Sequence, residues 1–455
     1  MNMPDIPQLQ QAIHMSLKCW TAIDKPVPEL LQTLLVVKQQ GQGNCLHGDM
    51  ISWHRAVNEV LLAGIVVLEQ ESESEAAVLR QRFLQGLPAK MVAYEINLDR
   101  DRLNRVQRKA ITRLAQILWA QEAATRTHYL ADMGSRLPNA THPLFGIEEH
   151  LQELTRRVIM PGEPWTIVVT GIGGIGKTSL AAAVAREVLS QFIFEGVIWV
   201  KVGEDQEMEH VVFSQLAQQL GVSPHLPLAE KTQAVRHVLQ QCPYLIVFDN
   251  VEVESELIEL LQQVGDLANP GKFLITSRVR PPEVVVWSWG MEDLSLTAVS
   301  RLINHLTTAN NYAAFIMPSD EEIAAIYSMT GGNPLAVKLV TGLMAVAPLP
   351  VLLAELQTAA MPPTKVVYRH IYWRVWHSLS PEAQAILLLL LLAAGSGFSA
   401  NHMLAVSKLP SGTFWSAVNL LISRSLLEVR HEKPEWRYGI HRLTASFLQI
   451  DIAQL

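Results

Sequence analysis

The run Thr170-Gly171-Ile172-Gly173-Gly174-Ile175-Gly176-Lys177-Thr178-Ser179 constrains this chain more than any other stretch. It satisfies G-x-x-x-x-G-K-[ST], the pattern of a loop that wraps a phosphate. Its flanks suit that geometry. The β-branched run Trp165-Thr166-Ile167-Val168-Val169-Thr170 reads as a buried strand, and Leu180, Val184 and Val188 then recur at helical spacing. Glycines let the backbone N–H groups turn inward without Cβ clashes, and the helix N-terminus that follows adds partial positive charge. In such a loop Lys177 reaches the β- and γ-phosphates and the Thr178 hydroxyl ligates Mg²⁺.

The whole chain narrows the classes further. Its 455 residues allow about three or four domains. A net charge of −7 and a pI of 6.1 exclude a protein that coats nucleic acid over its whole surface, but leave local basic patches open. Cys19, Cys45 and Cys242 are odd in number and far apart, which predicts a reducing cytoplasm rather than a disulfide framework. Cys45, His47 and His54 lack a fourth ligand at finger-like spacing and read as solvated loop residues. The stretch Met1 to Gln11 has neither a basic nor an apolar segment, so no secretory signal is read. Mean hydropathy is +0.17. The longest apolar runs, Val60–Leu68 and Ile386–Ala394, are too short to span a bilayer and read as core helices, so no membrane is expected as a partner.

The N-terminal third predicts helices at Ile6–Trp20, Val27–Lys38 and Ile51–Glu69, without evident chemistry. After an acidic stretch, Ala76–Gln85 and Pro88–Glu95 read as short helices and Asn97-Leu98-Asp99 as a tight turn. A long helix from Arg100 follows, with Leu103, Val106, Ala110, Leu114 and Ile117 on one face. Two helices about a short turn make a helix-turn-helix arrangement. This segment resembles the fourth region of sigma factors. The outward face carries Arg100, Arg102, Asn104, Arg105, Gln107, Arg108 and Lys109. It suits duplex DNA docked along 76–126, and it equally suits a protein-binding surface whose arginines only meet solvent. Residues 126–143 read as a linker, with Gly134, Pro138 and Pro143 and no periodicity.

Beyond the phosphate loop, strand and helix alternate: Val197–Val202, Val211–Leu220, Lys231–Gln240, Tyr244–Asp249, Leu257–Val264 and Lys272–Thr276. Alternation of this kind predicts a parallel sheet covered by helices. The run Tyr244-Leu245-Ile246-Val247-Phe248-Asp249 is a central strand ending in a carboxylate, placed where a Walker B Asp holds Mg²⁺. The next residue, Asn250, can orient a water but not deprotonate it, so hydrolysis should be slow. Glu252 and Glu254 are candidate substitutes.

Phe194–Val202 and the strand Gly271–Arg278 are similar to strands of the NB-ARC ATPases, and Gly331-Gly332-Asn333-Pro334-Leu335-Ala336 resembles their G-x-P motif. These are STAND signalling ATPases, which include plant disease-resistance receptors, the apoptosome scaffold and bacterial transcription activators. The resemblance covers about residues 145–455. It implies that Arg278 senses the γ-phosphate, that Pro334 packs on adenine, and that His441, in Ile440-His441-Arg442, contacts the ADP β-phosphate in a closed state. Ile147 stands where many relatives have an arginine near adenine, and Arg442 stands where they have Asp.

The expected fold is multidomain α/β. A P-loop parallel-sheet domain (145–297) is flanked by a helical region (1–70), a helix-turn-helix region (71–127) and a linker (128–144). A small helical domain (298–360) and a winged-helix domain (361–455) follow, the last from helices succeeded by a hairpin. The expected site binds ATP or ADP through Phe145, Gly171, Gly173, Gly174, Ile175, Gly176, Lys177, Thr178, Ser179, Arg278, Pro334 and His441. Mg²⁺ sits on Thr178 and Asp249, and Lys177, Asp249, Asn250 and Arg278 serve any catalysis. The resemblance implies an ATP/ADP switch that assembles or recruits a protein partner in its ATP state. The alternatives are an ATP-dependent transcription regulator and an ATPase that encircles DNA. No 34- to 45-residue repeat is found, so the sensor is expected to be residues 1–127, a partner chain, or absent.

Overall fold

Buried parallel strands need apolar side chains on both faces, and the apolar runs of this chain form them. A computed structural model of the chain describes residues 3–40, 50–138, 143–202, 208–265, 267, 269–281, 286–309, 318–344, 348–352, 369, 372–373, 375–393, 397–424, 426–432, 435–440 and 442–453. Five strands make one sheet: β1 (Thr166–Thr170), β2 (Gly196–Lys201), β3 (Tyr244–Val251), β4 (Lys272–Ser277) and β5 (Trp287–Gly290), in the order β2-β3-β4-β1-β5. β1 pairs in parallel with β4 and β5, and β3 in parallel with β4. Helices Lys177–Ser190, Met208–Gln219, Leu228–Gln241 and Glu254–Gly265 connect the strands, as the alternation predicts. The β3–β4 register shifts between Phe248 and Val251, where Asn250 has φ +77°, so a bulge falls just after Asp249.

The chain divides into two compact units. One gathers the N-terminal helices with Leu189–Gly196 and Arg236–Tyr244. Its core is formed by Leu9, Ile13, Leu17, Leu31, Leu34, Leu61, Ile65, Leu114 and Leu118, among others. Helix Met50–Glu71 is long and apolar enough to cross a bilayer by length and composition. Here its Ala56, Val57, Val60, Leu61, Ile65 and Leu68 are buried in that core. A second, small cluster of Val78, Val92, Ala93 and Leu103 joins helices Glu73–Leu79, Ala89–Glu95 and Arg100–Arg136.

Three expectations are corrected in this unit. Helix Arg100–Arg136 runs through the first part of the expected linker. It does so because its buried residues there include Glu122, Arg126 and Tyr129, a polar pattern that apolar periodicity misses. The Glu122 carboxylate accepts from Leu35 N and Val36 N at 3.0 Å each and from Arg126 Nε at 2.6 Å, and the Arg126 guanidinium lies over the Phe192 ring. His54 is buried rather than a solvated loop residue, its Nε2 bonded to Lys25 O at 2.5 Å. Cys45 and His47 lie outside the described residues, among which no candidate metal cluster occurs. Cys242 is buried and disulfide-bonded, where free thiols were expected, and Cys19 is free.

The second unit holds the sheet and the C-terminal third. Helices Leu296–Ala309, Asp320–Thr330 and Pro334–Leu343 share one apolar core with Pro381–Leu391 and Ser411–Ser423. Strands β6 (Phe398–Ser399), β7 (Glu428–Glu432) and β8 (Glu435–Gly439) form an antiparallel sheet in the order β6-β8-β7, with helix Ala400–Ser407 following β6.

In the central sheet the Phe248 and Phe273 rings stack at 6.0 Å with 11° between planes, and both are buried. Phe273→Ala is expected to lower the unfolding free energy by about 3–5 kcal/mol, measured as a shift of the urea midpoint at unchanged slope.

Candidate functional site

The phosphate loop links β1 to helix Lys177–Ser190. Gly174 has φ +76°, and a Cβ there would lie 2.8 Å from Leu335 Cβ and 3.2 Å from Asn333 Oδ1. The loop is therefore packed against the start of helix Pro334–Leu343, and glycine is needed both for the backbone angle and for the close approach. Asn333 is 2% exposed and works in two directions. Its Oδ1 caps the helix by accepting from Leu335 N (3.1 Å) and Ala336 N (3.3 Å), while its Nδ2 donates to Gly173 O (3.3 Å). Pro334 occupies the first helical position beside it. Ile175 is buried, and Ser179 is exposed in the first turn of the helix.

Lys177 Nζ donates to Gly171 O at 2.7 Å and Ile172 O at 3.0 Å. Burial, aided by the nearby Arg278 charge, lowers its pKa to about 8, against the pull of Glu252 and Asp249. Asp249 is 4% exposed. Its Oδ1 accepts from Thr178 Oγ1 at 2.8 Å and from Thr276 Oγ1 at 2.7 Å. Thr276 Oγ1 in turn accepts from Asn250 N at 2.9 Å. The Thr178 hydroxyl and Asp249 carboxylate thus form an all-oxygen pair. This suits a hard cation that takes one or two protein oxygens and completes its shell with phosphate and water, which is how Mg²⁺ binds.

Arg278 Nη2 meets Glu252 Oε1 at 3.0 Å. Burial pushes the Glu252 carboxyl up, against the Arg278 and Lys177 charges. Phe145 packs on the C-terminal core, its ring 5.7 Å from that of His305, and Ile147 is 9% exposed. The structure therefore brings Gly173, Gly174, Lys177, Thr178, Asp249 and Arg278 into one neighbourhood with Asn333-Pro334. His441 lies outside the described residues.

Sequence reasoning did not single out Thr276, Asn333 or Met291. Met291 N donates to Thr170 O at 2.8 Å, and its Cβ faces Gly171. An Asn before a Pro at a helix start was a signal for Asn333. Nothing local marked Thr276 or Met291, which act across strands.

The residues expected to form a helix-turn-helix face belong to the other unit. Arg100, Arg102, Asn104, Arg105, Arg108 and Lys109 are exposed, and Gln107 is half-buried. Asp99 Oδ1 accepts from Arg102 N at 2.8 Å, and this bond holds the Asp99 carboxyl below its usual range. Lys109 and Arg113 share the buried Glu75 carboxylate at 3.0 and 3.3 Å, so one of these two positive charges is offset within the unit.

Residues 147–284 match the NB-ARC domain family. The chain is similar to disease resistance RPP8-like protein 3 of Arabidopsis thaliana, 28% identical over 223 residues, covering 46% of this chain and 24% of that protein. It is also similar to disease susceptibility protein LOV1 of the same plant, 26% identical over 226 residues, covering 44% and 24%. The chain thus matches only about a quarter of the length of these relatives. Among solved structures it is similar to a STAND protein with a tetratricopeptide repeat sensor from Pyrococcus horikoshii. That match has 17% identity and a TM-score of 0.47, and covers 70% of this chain and 43% of that one.

The lysine sets a measurable pH response. Between pH 8 and the unfolded value of 10.5 the folded chain binds fewer protons at Lys177 than the unfolded one, so this group makes stability rise with pH. Below pH 8 both states are protonated and the burial penalty is fully present. Relative to Lys177→Met, wild-type protein is expected to gain thermal stability from pH 8 to 10, read from paired melting curves.

Proposed function

We propose, from the match of residues 147–284 to the NB-ARC domain family, that the chain is a signalling switch operated by an adenine nucleotide. Lys177 meets the terminal phosphates, Thr178 and Asp249 hold Mg²⁺, Arg278 distinguishes the γ-phosphate, and Phe145 and Pro334 flank the base. The bound nucleotide and metal supply the charge that these groups answer. The observation that carries the reading is Asn333, whose amide joins Gly173 of the phosphate loop to the cap of helix Pro334–Leu343. A change in loop state is thereby felt at the first turn of a helix whose Leu339, Val340 and Leu343 belong to the C-terminal core.

Under this reading the modules are a nucleotide-binding domain (145–297), a small helical domain (298–360) and a winged-helix domain (361–455), with His441 as the latch of the ADP state. The ATP state assembles with further copies and exposes the N-terminal region to an effector. Moving such an equilibrium from 1:99 to 99:1 takes about 5.5 kcal/mol of differential binding, which charge-assisted contacts to one γ-phosphate and its metal can supply. A second reading, docking of the helix-turn-helix on duplex DNA, draws support from the exposed Arg100, Arg105 and Arg108. It predicts affinity that falls steeply with salt.

Purified protein is expected to retain ADP and to grow in particle size only with ATP and Mg²⁺. Asp249→Asn should weaken Mg²⁺-dependent ATP binding at least about tenfold. Asn333→Ala should keep nucleotide binding but lose the ATP-dependent size change. Full size change in Asn333→Ala, or equal behaviour of Lys177→Ala and wild type, would sink the switch.

A further inference from the structure

Glu252 is a charged group at the site mouth to which the switch assigns no task. Its position is set by the backbone. Arg278 N donates to Val251 O at 3.2 Å, one step beyond the Val251↔Ser277 pairing that follows the bulge. This bond fixes the ends of β3 and β4 side by side, and the Arg278–Glu252 ion pair closes over them at 3.0 Å. The Glu252 side chain is 10% exposed and that of Arg278 is 33% exposed. Lys177 feels the charges of Arg278, Glu252 and Asp249 together, which places all four in one electrostatic neighbourhood. Its two cations and two carboxylates sum formally to zero.

We propose that Glu252 sets how strongly this chain prefers a nucleoside triphosphate over the diphosphate, by competing with the γ-phosphate for the Arg278 guanidinium. The proposal rests on the nucleotide reading above and deepens it. Glu252 follows β3 directly and is largely buried, so its carboxylate cannot follow Arg278 toward a ligand. A guanidinium that turns to a γ-phosphate must give up or share the hydrogen bonds it makes to Glu252. What it leaves behind is a largely buried carboxylate with one cation fewer beside it, which is costly. A diphosphate makes no such demand on Arg278. The ion pair therefore taxes the triphosphate selectively and biases the switch toward its resting form. Glu252 acts through Arg278 and is a positioning residue, not a catalytic one.

The test measures Kd for ATP and for ADP, both with Mg²⁺, on the full chain by calorimetry. Glu252→Gln keeps the side-chain shape and removes the charge. It is expected to raise the ATP-over-ADP affinity ratio about tenfold, with ADP affinity changed by less than about threefold. In an Arg278→Met background the same substitution should leave the ratio unchanged, because the coupling runs through the guanidinium. Glu252→Asp, which withdraws the carboxylate by one methylene, should shift the ratio in the same direction by less, and serves if the first variant folds poorly. An unchanged ratio in Glu252→Gln with both nucleotides bound overturns the proposal, as does an equal shift with and without Arg278. A loss of hydrolysis at constant ratio also overturns it and makes Glu252 a general base. If wild-type protein binds neither nucleotide, the nucleotide reading fails and this proposal falls with it.

Discussion

A carboxylate that is 4% exposed at the end of a central strand must be compensated where it stands. Asp249 receives that compensation from two hydroxyls that reach the same oxygen from different directions. Thr178 comes from the helix after the phosphate loop, and Thr276 comes from β4. Hydrogen bonds to a charged group contribute about 1.5–3 kcal/mol each, so this one side chain pins the loop, β3 and β4 together. The geometry beyond it follows. Thr276 also takes the Asn250 N–H, which fixes the bulge. The bulge then delivers Val251 and Glu252 opposite Ser277 and Arg278. Hydrogen bonds from Thr178 and Thr276 leave the Asp249 carboxylate charged, and an oxygen set of this kind suits a hard cation.

How much of this was legible depended on the kind of interaction. β1 to β4 were readable because strands buried on both faces are unbroken apolar runs, and Thr166–Thr170 and Lys272–Ser277 are buried throughout. β5 was not. Trp287–Gly290 has four residues and alternating burial, and it is held by tryptophan contacts: Arg157 over Trp287 and Trp289 Nε1 to His150 Nδ1. Such partners are far away in sequence. β6, with two residues, lies below any periodicity. The extension of the long helix to Arg136 was hidden for a different reason: the buried face there is partly polar, and Glu122 with Arg126 reads as a solvated pair until their partners are seen.

The site divides along the same line. A phosphate loop is local chemistry, spelled in consecutive residues, and so were the carboxylate of Asp249 and the Asn333-Pro334 turn. The couplings between them are tertiary. Thr276 acquires its role from the strand register that sets it beside Asp249 and Asn250. Asn333 acquires its second partner only because Gly174 lacks a side chain where Leu335 approaches. No spacing rule links positions 160 residues apart, so the motif could be named while its mechanical connection to the loop could not.

Asn250 bears on the same charge balance. At φ +77° the position favours Gly, Asn or Asp, and of these only Asp would offer a base to an attacking water. An acid there would set three carboxylates, at 249, 250 and 252, against Lys177 and Arg278, leaving the mouth with a net negative charge that opposes a polyphosphate. The amide keeps the neighbourhood neutral and gives up proton abstraction, while Glu252, the nearest remaining carboxylate in sequence, is engaged by Arg278. Under the proposed reading, affinity and turnover pull on the same few side chains in opposite directions, and the arrangement favours holding a nucleotide over consuming it, because a state that is read by its shape must outlast the chemistry that could erase it.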